Sequence, residues 1–301
     1  MKTMLRAIVP LLAGFMLISA CRKEDNGKGG NTRQDTAYML TSIHRNGVIM
    51  DSLVYDQQTL LLKTIISPAA DGKSIYSRLE FIYNKDNKVQ RIAHYNGEGQ
   101  LYLADSLSWN SGGFAVYTAA PGVAFSDSTQ YTLDTEGQPT QIGSKDTVTS
   151  QLYEARMLNY SLLQLNNGNT VRVQTNSYQG NAGGYTTSSL ETVMTYDTGL
   201  NPFYRLYRNC PLLVDYWQPQ LDYAFDAQNN PATAAVTQDT YNAATDTRNS
   251  VIDNTDFTYV YDSTSHYPLE QRYALKVTNE NGPHTEQYVI QFNYATIVQH
   301  K

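Results

Sequence analysis

Apolar and polar side chains alternate along much of this chain, and the alternation is interrupted at uneven intervals by short polar segments of one kind. Leu79, Phe81 and Tyr83 alternate with Arg78, Glu80 and Ile82, and Leu221, Tyr223 and Phe225 with Asp222 and Ala224. Phe257, Tyr259 and Tyr261 alternate with Thr258 and Val260, and Tyr288, Ile290, Phe292 and Tyr294 with Val289, Gln291 and Asn293. Side chains two apart share one face of a pleated strand, so each stretch predicts a strand with an aromatic face and a mostly polar one.

The interruptions share a form: an aromatic residue, Asp or Asn, two free positions, Gly or Asn, a polar residue, then Val, Leu or Pro. "YNKDNKV" from Tyr83, "YNGEGQL" from Tyr95 and "FDAQNNP" from Phe225 fit it. "YDTGLNP" from Tyr196 has Leu200 at the fifth position, and "LDTEGQP" starts from Leu133. "YDQQTLL" from Tyr55 and "WNSGGFA" from Trp109 are weaker copies, and "YDSTSHYP" from Tyr261 is one residue longer. An Asp or Asn side chain after a strand bonds the backbone two residues on and starts a turn. Gly or Asn then adopts the left-handed conformation that closes a tight hairpin. Pro is tolerated where the returning strand begins. The expected fold is therefore all-β: an antiparallel β-meander of hairpin repeats in one twisted or curved sheet.

Elsewhere the pattern is less regular. "LLQLNNGNTVRVQT" predicts a hairpin about Asn167-Gly168, while residues 151–163 fit strand or helix. Pro211 fits the first turn of a short helix through Leu212, Leu213 and Tyr216 that covers the sheet. "TNSYQGNAGGYTTSS" and "NAATDTRNS" read as polar loops. A second recurrence, "DSLVY" at Asp51, "DSLSW" at Asp105 and "DSTQY" at Asp127, sets Asp-Ser four residues before an aromatic. Without a shift in composition, residues 37–301 read as one domain.

The N-terminus supplies an address. Lys2 and Arg6 precede an apolar run, Ala7–Ala20, too short for a membrane helix of about 20 residues and suited to a signal peptide. Ile18-Ser19-Ala20-Cys21 resembles a bacterial lipobox, which implies cleavage between Ala20 and Cys21 and lipidation of Cys21. Lys23, Glu24 and Asp25 resemble the export signal of Bacteroidetes surface lipoproteins. Residues 21–36 then form the lipidated Cys and a flexible tether, rich in Gly, Asn and charge. The expected place is the outer membrane, lipid-anchored and facing outward. Cys210 has no partner for a disulfide and reads as a small buried residue.

The repeats resemble the YD repeat of RHS-type proteins. With the lipobox, "NPFY" at Asn201–Tyr204 and the terminal "QYVIQFNY", they are similar to uncharacterised YD-repeat-like lipoproteins of Bacteroidetes. The Arg usual at the sixth position is replaced by Lys88, Gln100, Gln138, Asn201 and Asn230, and the resemblance implies no catalytic residue.

Composition narrows the chemistry. Without residues 1–20 the chain keeps 20 basic against 28 acidic side chains, a net charge of −8, and it has no basic patch for nucleic acid. His44, His94, His266, His284 and His300 show no metal-ligand spacing, no cofactor motif is present, and no catalytic set is named. The 24 Tyr against 8 Phe are the chain's surplus. Most belong to the core face. Trp217 and Tyr216, outside the repeats, and Trp109 are the candidates for stacking on sugar rings.

Several Asp-Ser/Thr pairs, Asp51-Ser52 and Asp105-Ser106 among them, also resemble a Bacteroidetes O-glycosylation sequon, which turn chemistry explains equally. The expected function is non-catalytic: an envelope scaffold or binding protein, its partner a polysaccharide or another envelope protein. The alternative is a carbohydrate-active hydrolase with two facing carboxylates drawn from Glu80, Glu191, Asp222 and Glu286.

Overall fold

The computed structural model describes residues 34–72, 74–123, 128–150, 155–181, 184–221, 226–279 and 282–300. Ala20, Cys21, Lys23, Glu24, Asp25, Asp127 and Asp222 lie outside these. Ala37–Ile297 forms one compact unit, to which the contacts described below belong.

The fold is all-β, as the alternation predicts. Nine strands come first: β1 Gln34–Arg45, β2 Val48–Tyr55, β3 Leu62–Pro68, β4 Ile75–Tyr83, β5 Val89–Asn96, β6 Leu101–Asn110, β7 Gly113–Ala119, β8 Ser128–Leu133 and β9 Pro139–Ser150. β10 Ala155–Asn166, β11 Asn169–Asn181 and β12 Gly184–Leu200 follow, then two helices, α1 Tyr204–Asn209 and α2 Leu213–Leu221. β13 Asn229–Asn242, β14 Thr247–Asp256, β15 Thr258–Tyr261, β16 Pro268–Asn279 and β17 Gly282–His300 complete the chain.

Each strand from β1 to β14 pairs antiparallel with the next. β15 pairs with β16, and β16 with β17. Phe257 alone separates β14 from β15, which act as halves of one bent strand between β13 and β16. The chain thus makes an even number of passes, and β17 comes back beside β1. Asn46 N–H reaches Val289 O at 2.7 Å, and the Thr41 hydroxyl reaches Asn293 O at 3.1 Å. The sheet is nearly closed into a barrel.

The repeat unit has one structural job, repeated around the wall. Its Asp or Asn accepts two backbone N–H groups: Asn84 from Asp86 and Lys88, Asn96 from Glu98 and Gln100, Asp134 from Glu136 and Gln138. The fifth position is left-handed, with φ 58° at Asn87, 78° at Gly99 and 81° at Gly137. In the two longer loops the same conformation falls one residue later, at Leu60 and His266. Directly after each turn the returning strand carries one extra residue, a β-bulge, at Lys63, Gln90, Tyr102, Thr140, Ala232 and Leu269.

That bulge frees a carbonyl, and an aromatic from the neighbouring pass takes it. Tyr83 donates to Leu62 O, Trp109 to Val89 O, Tyr259 to Pro231 O and Tyr294 to Pro268 O, at 2.6–2.8 Å. Tyr55 donates to Leu40 O and Tyr196 to Thr170 O in the same manner. Pro is accepted at this position because its missing N–H is not needed while its carbonyl is. The ladder also accounts for part of the Tyr surplus. A Phe would fill the same core volume and leave a buried carbonyl unpaired, at about 1–3 kcal/mol.

One unit departs from the pattern. After Tyr196 the turn begins, with Gly199 N–H on Asp197 Oδ1, but no strand returns. Asn201 bonds Phe203 N–H and Ala227 O, and the chain leaves the wall as α1 and α2 before rejoining it at β13. These helices sit against strands from several sides of the sheet. Phe203 meets Phe292 of β17, Arg205 reaches Met39 Sδ of β1, and Tyr216 lies 3.1 Å from Ser67 Oγ of β3. They form a plug on the concave side rather than a cover outside.

Two expectations need correction and one open alternative is settled. Leu221 ends α2 instead of starting a strand, because Leu213, Trp217 and Leu221 recur at helical spacing and the plug buries Leu213 and Trp217. The segment 155–163 is strand, in register with β11. The two polar "loops" are mostly strand: β11 and β12 pair out to Asn181 and Gly184, and β13 and β14 out to Asn242 and Thr247. A ribbon polar on both faces has no alternation to read.

Candidate functional site

Trp217 is fully buried, its indole N–H on Asp51 Oδ2 at 2.8 Å. Its ring packs on Phe203, Tyr207 and Tyr216. A ring with no face open to solvent offers nothing to a sugar, so the stacking expectation does not hold for Trp217. Tyr216 is half-buried against it, with its hydroxyl at Ser67. Trp109 is half-buried as well: it bonds Val89 O, packs on Phe114 with ring centroids 4.5 Å apart, and is covered by Lys88 at 4.6 Å. These three aromatics build the core and its rim.

The interior also holds carboxylates that turn chemistry does not account for. Asp51 is fully buried and accepts from Trp217 and from Ser67 Oγ at 2.6 Å. Asp105 is buried between His94 Nε2 at 2.7 Å and Thr118 Oγ1 at 2.6 Å. Asp51 and Asp105 of the Asp-Ser recurrence therefore point inward and tie neighbouring strands or the plug together. Burial pushes the Asp51 carboxyl up, against the hydrogen bonds that pull it down. Asp215 in α2 accepts the Tyr131 hydroxyl and keeps contact with solvent, while the crowding of protein around it pushes its carboxyl up. Cys210 is buried and its thiol is pushed up to about 12 by burial.

A further group lies where the plug rejoins the wall. Asp226 is 2% exposed, and among the described residues neither of its carboxylate oxygens makes a hydrogen bond of good geometry, although the Gln138 side chain lies close enough to pull its pKa down. Tyr207 Oη and Arg208 Nη1, in α1, are buried without partners as well. Burial pushes Asp226 up to about 6, with the Arg208 charge pulling the other way and the Asp134 charge adding to the rise.

Of the acids weighed for hydrolysis, Glu80, Glu191 and Glu286 do not converge, and Asp222 lies outside the described residues. Glu80 pairs with Arg78 at 3.2 Å, Glu191 with Arg172, and Glu286 with His284 at 3.0 Å and Tyr288. Each is bound to its own neighbours. A shallow depression between Arg91, Leu101, Ala104 and Pro121 is lined without any acid.

The outer face of the wall is mixed, with charged side chains beside exposed Val54, Ile82, Val193 and Val260. Leu79 and Phe81 face the core while Arg78 and Glu80 face out, and Arg172–Glu191 and Arg272–Glu270 lie on the outer face. Inside, aromatic rings and the plug occupy the space.

Three tyrosines meet at the far end of the polar ribbon, Tyr185 exposed and Tyr178 and Tyr241 half-buried, whereas the exposed Tyr76, Tyr102 and Tyr117 lie on β4, β6 and β7. Tyr178 and Tyr185 lie nearly parallel, with centroids 5.7 Å apart and planes 27° apart. Tyr241 stands against Tyr185 at 6.0 Å and 64°, and Arg248 lies over the Tyr241 ring at 5.3 Å. Register puts them on one face: Tyr185 is opposite Gly180, Thr187 is opposite both Tyr178 and Tyr241, and Tyr241 is opposite Arg248. Gly180 makes this possible. A Cβ there would run into the Tyr178 ring, so the missing side chain lets that ring lie along the sheet. Tyr185 is 42% exposed. The result is an aromatic corner, two near-parallel rings and a raised third, edged by hydroxyls and amides. No alternation singled it out in the sequence, because its tyrosines sit in a ribbon of Thr, Ser, Asn and Gln.

No protein-family model matches the chain. No curated protein matches it either. Among solved structures it is similar to a porin-like protein from Bacteroides uniformis, with a TM-score of 0.37 and 8% identity over 85% of this chain and 96% of that one. It is also similar to TcdB2-TccC3-Cdc42, at a TM-score of 0.22 and 8% identity over 80% of this chain and 15% of that one. For TcdB2-TccC3 the values are 0.18 and 9%, over 80% and 16%. Likenesses this weak carry no functional argument.

Proposed function

We propose that this protein is a non-catalytic envelope lipoprotein, tethered to the outer membrane through Cys21, that captures polysaccharide on its outward surface. The observation behind the reading is the Tyr178–Tyr185–Tyr241 corner. Pyranose rings present C–H groups that settle on the negative face of an aromatic ring, while hydroxyls reach polar neighbours. Tyrosine suits the task because it is flat, rigid and polar at its tip. An outer wall that carries charged side chains and a filled interior fit a body that stands in water at the end of a lipidated tether, with its binding surface outside.

The test is a binding screen of the chain carrying Cys21→Ala against bacterial, plant and host polysaccharides, with products analysed after overnight incubation. Retention without cleavage is expected. Cleavage of any polymer overturns the non-catalytic reading. Absence of retention across the panel overturns polysaccharide capture and leaves a scaffold whose partner is another envelope protein.

A further inference from the structure

The corner has a charge as well as a shape. It lies on one face of the ribbon formed by β10–β14, and its two flanks are both cationic. On the β10 side Arg156 stands opposite Gly180, which is itself opposite Tyr185. On the β14 side Arg248 stands opposite Tyr241 and is held over its ring. Both arginines are exposed, and among the described residues neither has an acidic partner. Of the acids nearest in register only Glu191 is paired with a cation, holding Arg172 along with Gln174. Asp239 and Asp246 accept from neutral hydroxyls, those of Ser250 and, at 3.3 Å, Tyr241. Strands lie about 4.8 Å apart, so four spacings put the two arginines roughly 19 Å apart across the tyrosines. A linear oligosaccharide of several units spans such a row.

We propose that the corner is selective for an anionic polysaccharide, a polymer of uronic acid or sulfated sugar, with Tyr178, Tyr185 and Tyr241 under the rings and Arg156 and Arg248 on the acidic groups. This rests on the capture reading and adds the class of ligand. Guanidinium is planar and presents paired N–H groups that match a carboxylate or a sulfate, which an ammonium does not. Arg248 is also anchored by its own cation–π contact, so less freedom is lost when it binds. The rest of the chain works against polyanions. Without its leader it has a net charge of −8, and a field of that sign repels a polyanion everywhere except where local cations overcome it. Non-specific adhesion of acidic polymers is thereby suppressed, and binding, where it occurs, belongs to the arginine-flanked corner.

The experiment uses the full chain carrying Cys21→Ala, with polygalacturonate as the acidic probe and a neutral glucan as its counterpart. The wild-type sequence binds polygalacturonate more tightly than the glucan, and its affinity falls as sodium chloride rises. Arg156→Gln with Arg248→Gln lowers affinity for polygalacturonate by about tenfold or more and leaves the glucan within about twofold. Lys85→Gln with Arg91→Gln, an equal loss of two charges far from the ribbon, changes neither. Tyr185→Ala weakens both polymers. If the double arginine variant binds polygalacturonate like wild type while Tyr185→Ala loses it, the anionic assignment is wrong and capture stands. Equal weakening by the Lys85→Gln, Arg91→Gln pair also overturns it, since bulk charge would then explain the effect. If the wild-type chain retains neither polymer, the assignment fails, and the wider screen then decides whether capture fails with it.

Discussion

The indole N–H of Trp217 meets the Asp51 carboxylate across 2.8 Å, and neither residue reaches solvent. The pair fastens α2 of the plug to β2 of the wall, with Ser67 of β3 completing the acceptor's shell. Trp217→Ala removes both the largest buried ring and the donor to a buried acid. It should cost about 3–5 kcal/mol in urea or thermal unfolding. Trp217→Phe keeps most of the packing but leaves Asp51 short of a donor, so it should cost less than Trp217→Ala and still more than about 1 kcal/mol. A Trp217→Ala chain as stable as wild type would mean that the plug does not hold the wall.

The aromatic ladder makes a separate prediction. Tyr83→Phe and Tyr259→Phe each delete one hydroxyl and orphan one carbonyl, at Leu62 and Pro231. Each should cost about 1–3 kcal/mol. Tyr76 is 72% exposed, and Tyr76→Phe should lie within about 0.5 kcal/mol of wild type. If all three substitutions cost the same, the ladder adds nothing to stability.

Asp226 sets a pH dependence whose sign follows from its surroundings. Its folded value, about 6, stands above the usual carboxylate range, so the folded chain holds this proton more tightly than the unfolded one. The stabilisation is fully present below the unfolded value near 4 and is lost as pH rises through about 6. The charged and titratable groups facing it are Arg208, Tyr207, Asp134 and Tyr196. Asp51 and Asp215 shift in the same direction.

In the Cys21→Ala chain Cys210 is the sole thiol, buried within the plug segment, and it reports opening. Its labelling rate by a dithiodipyridine, normalised to urea-unfolded chain at each pH, should rise between pH 5 and pH 7.5. Asp226→Asn should flatten that rise. An identical slope in the variant would remove Asp226 from the account.

The anchor is tested in cells. Cys21→Ala should abolish labelling by radioactive palmitate and release the protein from the membrane fraction, whereas label retained in the variant rejects Cys21 as the lipid site.

Strand and turn positions were readable because each repeat states its local chemistry: Asn84 and Asp134 start turns, and Asn87 and Gly137 close them. What those units are for was not readable. The bond from Tyr83 to Leu62 depends on a bulge one strand away, and spacing along the chain does not reveal it. Trp217 stood out because it lies outside the repeats, and that same irregularity marks the plug that buries it. The tyrosine corner was hidden for a different reason. Tyr178 and Tyr241 are 63 residues apart, with Tyr185 between them, and only the pairing of β11, β12 and β13 brings the three together. Gly180 gave a weak signal at best, since a glycine in a polar stretch reads as a loop.

The most direct test of polysaccharide capture is a calorimetric titration of the Cys21→Ala chain with the tightest polymer from the screen, repeated with Tyr178→Ala and Tyr185→Ala. The account predicts affinity at least about tenfold weaker in each variant, with melting temperatures unchanged because the corner lies outside the core. Unchanged affinity in both variants would contradict it and move the binding surface elsewhere on the wall.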